Sequence, residues 1–422
     1  MNSRLKNKIK VAVIGSGVSG LVCSWLLSKY HDVTLFEKND YAGGHVHTHA
    51  FESSVGIQNI DSGFIVFNDR TYPNFEKIIN SLGVRFQNTS MGFSLKTDDD
   101  FEYSGNSLRS LFAKKSNFFS PKFYSFLLNI IKFNKSSLNS ISSLDETITL
   151  KKYLKSINVS QMSIDNYIIP MGASIWSTDP DNMFEMPAVF FLKFLRNHGL
   201  LNISDRPQWR VISGGSKSYV DKLLKSMGGT IHLNTPVKSV SRNKLGVCLE
   251  LRDKKMNFDK VVLATHSNDS LKLLKDPTDQ EESVLSKIKY QKNIATIHTD
   301  IGILPKRKSA WSSWNYYKSK KQKSVLLTYN MNILQNLKSE EVFNVTINDP
   351  GIIDPNKTLK TISYEHPLFT VDSVDARKKI PSINGLNHTY FCGAYCGNGF
   401  HEDGVNSALE VCKNFNIGLD NE

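Results

Sequence analysis

Gly15-Ser-Gly17-Val-Ser-Gly20 directly follows the apolar run Ile9 to Ile14, and it limits the possible folds of this chain more than any other stretch. The apolar run is short, β-branched and closed by glycine, as a buried parallel strand requires. After the glycines come Leu21, Val22, Trp25, Leu26 and Tyr30, apolar at helical spacing. Asp32 to Glu37 then reads as a second strand ending in an acid. Strand, loop, helix, strand and acid in this order, within about 30 residues, turn a weak glycine motif into a dinucleotide fingerprint. Gly15 permits the tight turn, Gly17 lets backbone approach a pyrophosphate, and Gly20 lets the helix pack on the strand. Ser16, Val18 and Ser19 fill the rest of a loop whose helix N-terminus offers N–H groups to phosphate. Glu37, with Lys38 beside it, stands where a carboxylate accepts from ribose hydroxyls.

The same glycines decide what the N-terminal stretch is. Arg4, Lys6, Lys8 and Lys10 precede an uncharged run from Val11 to Ser28, the outline of a signal peptide. Three glycines weaken such a helix, whereas a nucleotide loop needs them. The sequence therefore predicts no signal peptide, and it holds no other uncharged apolar stretch of membrane-spanning length. Five scattered cysteines (Cys23, Cys248, Cys392, Cys396, Cys412) among 422 residues form no disulfide framework. A reducing, cytoplasmic setting is expected. Lys plus Arg number 52 against 40 Asp plus Glu, a formal charge of +12. Mostly dispersed basic residues fit a solvated surface, and no nucleic-acid module accompanies them. Contact with an anionic membrane surface, at the inner membrane face, is the second reading of this charge.

The residues after Glu37 narrow the ligand. Tyr41-Ala-Gly43-Gly44-His45 places a Gly-Gly pair soon after the acid, and Asp61-Ser-Gly63 closes a further short strand over Val55 to Ile60. Further along stand Arg70-Thr-Tyr-Pro73, Pro170-Met-Gly-Ala-Ser-Ile-Trp-Ser177, Asn197-His-Gly199 and Arg206-Pro-Gln-Trp-Arg210. Near the end come Ala264-Thr-His266 and the run from Phe391 to Gly404. These motifs resemble the flavin amine oxidase superfamily, the group of monoamine oxidase, protoporphyrinogen oxidase and phytoene desaturase. They are more similar still to a bacterial branch of predicted NAD/FAD-binding proteins. Members of that branch are often encoded beside cyclopropane-fatty-acid-synthase-type methyltransferases.

The resemblance implies an α/β fold with a Rossmann-like FAD-binding domain built from separated segments, plus a mixed α+β substrate domain of the amine oxidase type. The expected FAD domain comprises residues 1–75, 206–270 and 376–422. The expected substrate domain comprises 76–205 and 271–375, helical near 105–200. FAD is the expected cofactor. Its contacts are expected at Gly43, Gly44 and His45, at the backbone of Val237, at Gly393, and at Gly404 and Val405 opening the last helix. His45 stands where many relatives carry arginine, and Ala394 where many carry an acid.

The intervening chain has its own texture. Residues 71–205 are rich in Phe, Lys and Ser and show no β-branched strand runs. Leu108 to Asn134 interleaves basic and large apolar residues on what reads as two helices broken near Pro121. That pattern suits a core-facing helix pair with snorkelling lysines, or a surface that docks on an anionic bilayer. Ile294 to Asp300, Ser324 to Tyr329 and Val342 to Ile347 read as strands of a sheet in the substrate half.

Chemistry-bearing residues are few. His45, His47 and His49 alternate, but no acid or cysteine set of metal-ligating spacing joins them, so no metal is expected. Cys396 is either a flavin attachment point, an alternative shared with His45, or an ordinary buried cysteine. His401-Glu402-Asp403 is the densest polar run in the last motif. Asp403 reads equally as a helix cap and as a site residue. His401, Tyr395 and Trp176 are the candidate catalytic residues. The function implied is an FAD-dependent oxidoreductase passing a hydride from a lipophilic substrate, an unsaturated or methyl-branched acyl chain, to flavin N5. Two alternatives stay open: a redox-neutral double-bond isomerase or desaturase of a lipid or carotenoid, and a non-catalytic flavin-binding partner of a lipid methyltransferase.

Overall fold

Lys10–Ile14 forms the middle strand of a five-stranded parallel sheet. Its neighbours run in the order Thr230–His232, Asp32–Phe36, Lys10–Ile14, Lys260–Leu263 and Thr389–Phe391. Every pairing is parallel, so three stretches far apart in sequence meet in one layer. Side chains alternate across it. Val11, Val13 and Leu35 join one core with the first and last helices, whereas Ala12, Ile14 and Phe36 join another on the opposite face. The computed structural model describes residues 8–202, 205–320 and 324–419. Arg4 and Lys6 of the expected basic leader lie outside them. Among the described residues no helix is long and apolar enough to cross a membrane.

A seven-stranded sheet makes the second half. Its order is Thr358–Pro367, Tyr290–His298, Asn344–Ile347, Leu327–Asn330, Trp314–Lys318, Phe93–Thr97 and Glu102–Ser104. The helices Pro121–Ser140, Ile169–Trp176 and Ala188–Asn197 share a third core with this sheet, centred on Phe123, Phe126, Phe191 and Leu327. A β-meander, Ser239–Asn243 to Lys255–Phe258, extends the second core.

Local details depart from the sequence reading in three places. Residues 71–205 do contain strands, at Phe86–Asn88, Phe93–Thr97 and Glu102–Ser104. Phe93–Thr97 pairs in parallel with Trp314–Lys318, and such a short polar segment is held by its distant partner rather than by its own pattern. The strand expected at Val55 to Ile60 forms at Gln58–Asp61. The last helix runs from His401 to Lys413 rather than opening at Gly404. The break near Pro121 does occur. Ser120 caps the helix Pro121–Ser140, accepting from the Phe123 N–H, and the proline sits where no N–H is needed.

Candidate active site

A cavity of about 1030 Å³ lies between the carboxyl ends of the parallel strands and the seven-stranded sheet. Open α/β sheets place ligands at this end of their strands. At the first sheet the lining is Ile14 to Ser19, Phe36 to Asn39, Gly43 to His45, Thr235 to Lys238, Ala264 to His266 and Gly393 to Tyr395.

The first loop is built to admit a phosphate. Gly15 has φ +99°, and a Cβ there would meet the Ala264 carbonyl oxygen at 2.7 Å, so only glycine fits the turn. Gly17 is the N-cap of the helix Val18–Leu27, and no side chain caps it. A Cβ on Gly17 would find no atom within 4 Å, because that direction is open cavity. The first helical N–H groups thus face an open, electropositive cradle. Ser16 faces Glu37: one carboxylate oxygen accepts from the Ser16 N–H at 2.9 Å and from its hydroxyl at 2.6 Å. The other oxygen accepts from the Asn39 N–H at 2.9 Å. Gly43 N–H donates to the Ser16 carbonyl at 2.9 Å, drawing the second glycine loop onto the first. Lys38 and Val237 also line this end.

Three residues expected at the cofactor have other surroundings. A Cβ on Gly20 would lie 1.9 Å from the Gly15 carbonyl oxygen, so Gly20 serves the packing of helix on strand and does not line the cavity. A Cβ on Gly404 would lie 2.6 Å from Val18 Cγ1. The Gly404 carbonyl accepts from the Ser19 hydroxyl at 2.9 Å. Gly404 therefore lets the first and last helices touch, and Val405 is fully buried in the core beside them. Neither lines the cavity.

His401, Tyr395 and Trp176 all line it. His401 stacks on Phe64 at 3.7 Å, and its Nε2 lies 2.6 Å from the Tyr219 hydroxyl. Burial lowers its pKa to about 3, so its imidazole is neutral at ordinary pH. Burial raises the Tyr395 hydroxyl far above its usual value. Trp176 donates its indole N–H to the Asn398 carbonyl at 3.0 Å. Asp403 occupies the third position of the last helix and accepts from the Phe400 N–H at 2.9 Å, so it acts as a cap. Glu402 does the same for another helix, accepting from the Asn74 and Phe75 N–H groups at 2.9 and 2.8 Å. Cys396 is absent from the cavity lining, and burial pushes its thiol up, away from the thiolate an attachment needs.

The sequence reading missed a histidine cluster. His45 stacks on Tyr364 at 4.8 Å and lies 5.3 Å from the His366 ring and 6.3 Å from the His266 ring. All four residues line the cavity. His45 pKa is lowered well below normal by burial and then by the neighbouring imidazoles. Burial also lowers His366 to about 4. His266 Nδ1 sits 3.5 Å from a Glu365 carboxylate oxygen, yet burial still lowers its pKa. The His45 Nε2 is buried and has no hydrogen-bond partner. No local spacing links His45 with residues 266 and 364–366, so only the tertiary fold brings them together. Among the described residues no group of three or more His, Cys, Asp or Glu is arranged to hold a metal ion.

The open glycine cradle and the uncapped helix start fit a flavin dinucleotide. Comparison with known proteins points the same way. Mouse L-amino-acid oxidase is 25% identical over 313 residues, covering 64% of this chain and 43% of its own length. Tryptophan 2-monooxygenase of Allorhizobium ampelinum is 48% identical over 52 residues, 12% of this chain and 7% of that protein. The chain thus spans less than half the length of either curated relative. The fold is shared with a CLA-producing fatty acid isomerase from P. acnes, at TM-score 0.71 and 14% identity, over 97% of this chain and 99% of that one. The family model for flavin containing amine oxidoreductases matches residues 18–414, nearly the whole cavity wall included. FAD is accordingly the cofactor this cradle holds, and the chain belongs to the flavin-containing amine oxidoreductase family.

Proposed function

We propose that the chain is an FAD-dependent oxidoreductase acting on a lipophilic substrate, an unsaturated or methyl-branched acyl chain. The observation that carries this reading is the far half of the cavity. Beyond the flavin cradle it is walled by Tyr103, Met171, Ile175, Trp176, Phe194 and Leu334. Such a wall rewards apolar surface at roughly 25 cal/mol per Å² and penalises a substrate charge left unpaired.

FAD, when bound, would supply the electron sink, a hydride acceptor for a substrate carbon. The protein does the rest. The N-terminus of the helix Val18–Leu27 and the loop from Gly15 to Ser19 would hold the FAD pyrophosphate, and Glu37 its ribose. His45 lines the cavity next to Gly44. Trp176 and Phe194, packed at 4.7 Å, shape the apolar wall and exclude water. His401 is held neutral and engaged by Tyr219, so it orients the site rather than taking a proton. Once the hydride leaves an allylic or otherwise activated carbon, the adjacent C–H becomes acidic enough to give its proton to a neutral imidazole of the wall, such as His266 or His366, which completes the double bond without a strong base.

The test is anaerobic mixing of the purified holoprotein with detergent-dispersed phospholipid bearing unsaturated or methyl-branched chains. Bleaching of the oxidised flavin's visible absorbance, with a new double bond in the recovered lipid by mass spectrometry, is the expected result. Bleaching by primary amines and not by any lipid overturns the substrate class. Lipid turnover without bleaching and without an electron acceptor identifies a redox-neutral isomerase instead.

A further inference from the structure

The 42 residues from Tyr103 to Leu144 contain no Asp or Glu, and they carry Arg109, Lys114, Lys115, Lys122, Lys132 and Lys135. The same stretch exposes large apolar side chains. Leu108, Phe118, Phe119, Leu128 and Ile131 are 77%, 55%, 83%, 65% and 50% exposed. With Tyr124 and Leu138 these are seven of the sixteen exposed large hydrophobics among the described residues. Scattered exposed apolar residues need no explanation, but a cluster does.

The cluster is ordered. On the helix Pro121–Ser140, residues 124, 128, 131, 135 and 138 follow one line at i, i+4, i+7 spacing, while Phe123, Phe126 and Phe133 are buried on the other side. The Tyr124 hydroxyl donates to the Phe118 carbonyl at 3.0 Å, tying the turn that carries Phe118 and Phe119 to the start of this helix. Lys135 stands within the apolar line, and Lys132 stands beside it. The helix is about 30 Å long, enough to lie along a surface. Beneath it Phe126 packs on Tyr103 at 5.2 Å, and Tyr103 lines the cavity. The basic, apolar face is one aromatic layer away from the cavity.

We infer that this face docks on an anionic lipid bilayer. Phe118, Phe119, Leu128 and Ile131 enter the boundary between headgroups and acyl chains, and Arg109, Lys115 and Lys135 meet the headgroup charge. The charge complementarity favours lipid over a second copy of the chain, because two such faces would bring like charges together. Docking does not depend on which chemistry the flavin performs.

The experiment is co-sedimentation of the holoprotein with vesicles of phosphatidylcholine alone or mixed with phosphatidylglycerol. Binding only to the anionic vesicles, weakened by salt, is expected. The double variants Phe119→Ser/Leu128→Ser and Lys115→Glu/Lys135→Glu are each expected to lower the bound fraction at least tenfold, with flavin absorbance and melting temperature unchanged. Wild-type protein that stays in solution, or variants that bind as well as wild type, overturn the inference. So does concentration-dependent self-association that these variants abolish in the absence of any vesicle binding. The dispersed-lipid assay of the flavin reaction needs no bilayer, so the two readings fail separately.

Discussion

One carboxylate oxygen of Glu37 accepts two hydrogen bonds from Ser16, one from its N–H at 2.9 Å and one from its hydroxyl at 2.6 Å. The second strand thereby grips the glycine loop before any ligand arrives. Glu37→Gln keeps the size and loses the charge-assisted bonds. It is expected to weaken FAD binding about tenfold to a hundredfold, the equivalent of about 1.5–3 kcal/mol. Titration of the apoprotein with FAD, followed by flavin fluorescence, measures it.

Gly17 and Gly20 separate ligand from packing. A Cβ on Gly17 meets nothing within 4 Å, and one on Gly20 lies 1.9 Å from the Gly15 carbonyl oxygen. Gly17→Val is therefore expected to fold, with a melting temperature within a few degrees of wild type, and to lose the flavin colour. Gly20→Ala is expected to lose about 1–3 kcal/mol of stability or more. Cells carrying Gly17→Val should also lose any lipid product. A lipid profile fully restored by this variant would instead favour a scaffold for a lipid methyltransferase.

The bond between Tyr219 and His401 Nε2, 2.6 Å long, tests whether His401 orients or titrates. Tyr219→Phe leaves the buried nitrogen unsatisfied and should cost about 1–3 kcal/mol in urea unfolding. The pH dependence of kcat is expected to stay in place, because His401 is neutral down to about pH 3. A profile displaced by the substitution would make His401 a proton carrier.

Buried histidines set the acid limit of the fold. Burial holds His49, His198, His298 and His366 at about 4 and His401 at about 3, against 6.5 when unfolded. The unfolded chain therefore binds more protons below pH 6.5, and stability falls as pH drops from 6.5 toward 4. Glu402, raised to about 7, and Asp61, raised to about 6, have the opposite sign. Their contribution is complete below the unfolded carboxyl range and is lost as pH rises through 6 to 7. The histidines outnumber them, so the melting temperature is expected to fall on acidification. His198→Asn should flatten that slope, and Glu402→Gln should steepen it.

Some of this was legible in the chain because it is local. Ile9 to Glu37 carries its strand, turn, helix and acid at spacings that only a dinucleotide loop combines. The break read near Pro121 occurs, and a helix starts at that proline. The strands read over Ile294 to Asp300, Ser324 to Tyr329 and Val342 to Ile347 form as Tyr290–His298, Leu327–Asn330 and Asn344–Ile347. Gly404 misled because a small residue signals close approach without saying to what. The approach is to Val18 of another helix.

Residue order is thus enough to establish where backbone must come near a phosphate, since that requirement is met by residues adjacent in the chain. Which side chains wall the reaction chamber depends on the folded packing instead. His45, Tyr364 and His366 meet there because sheet pairing and helix packing bring together segments some 320 residues apart. No periodicity within either segment encodes that distance.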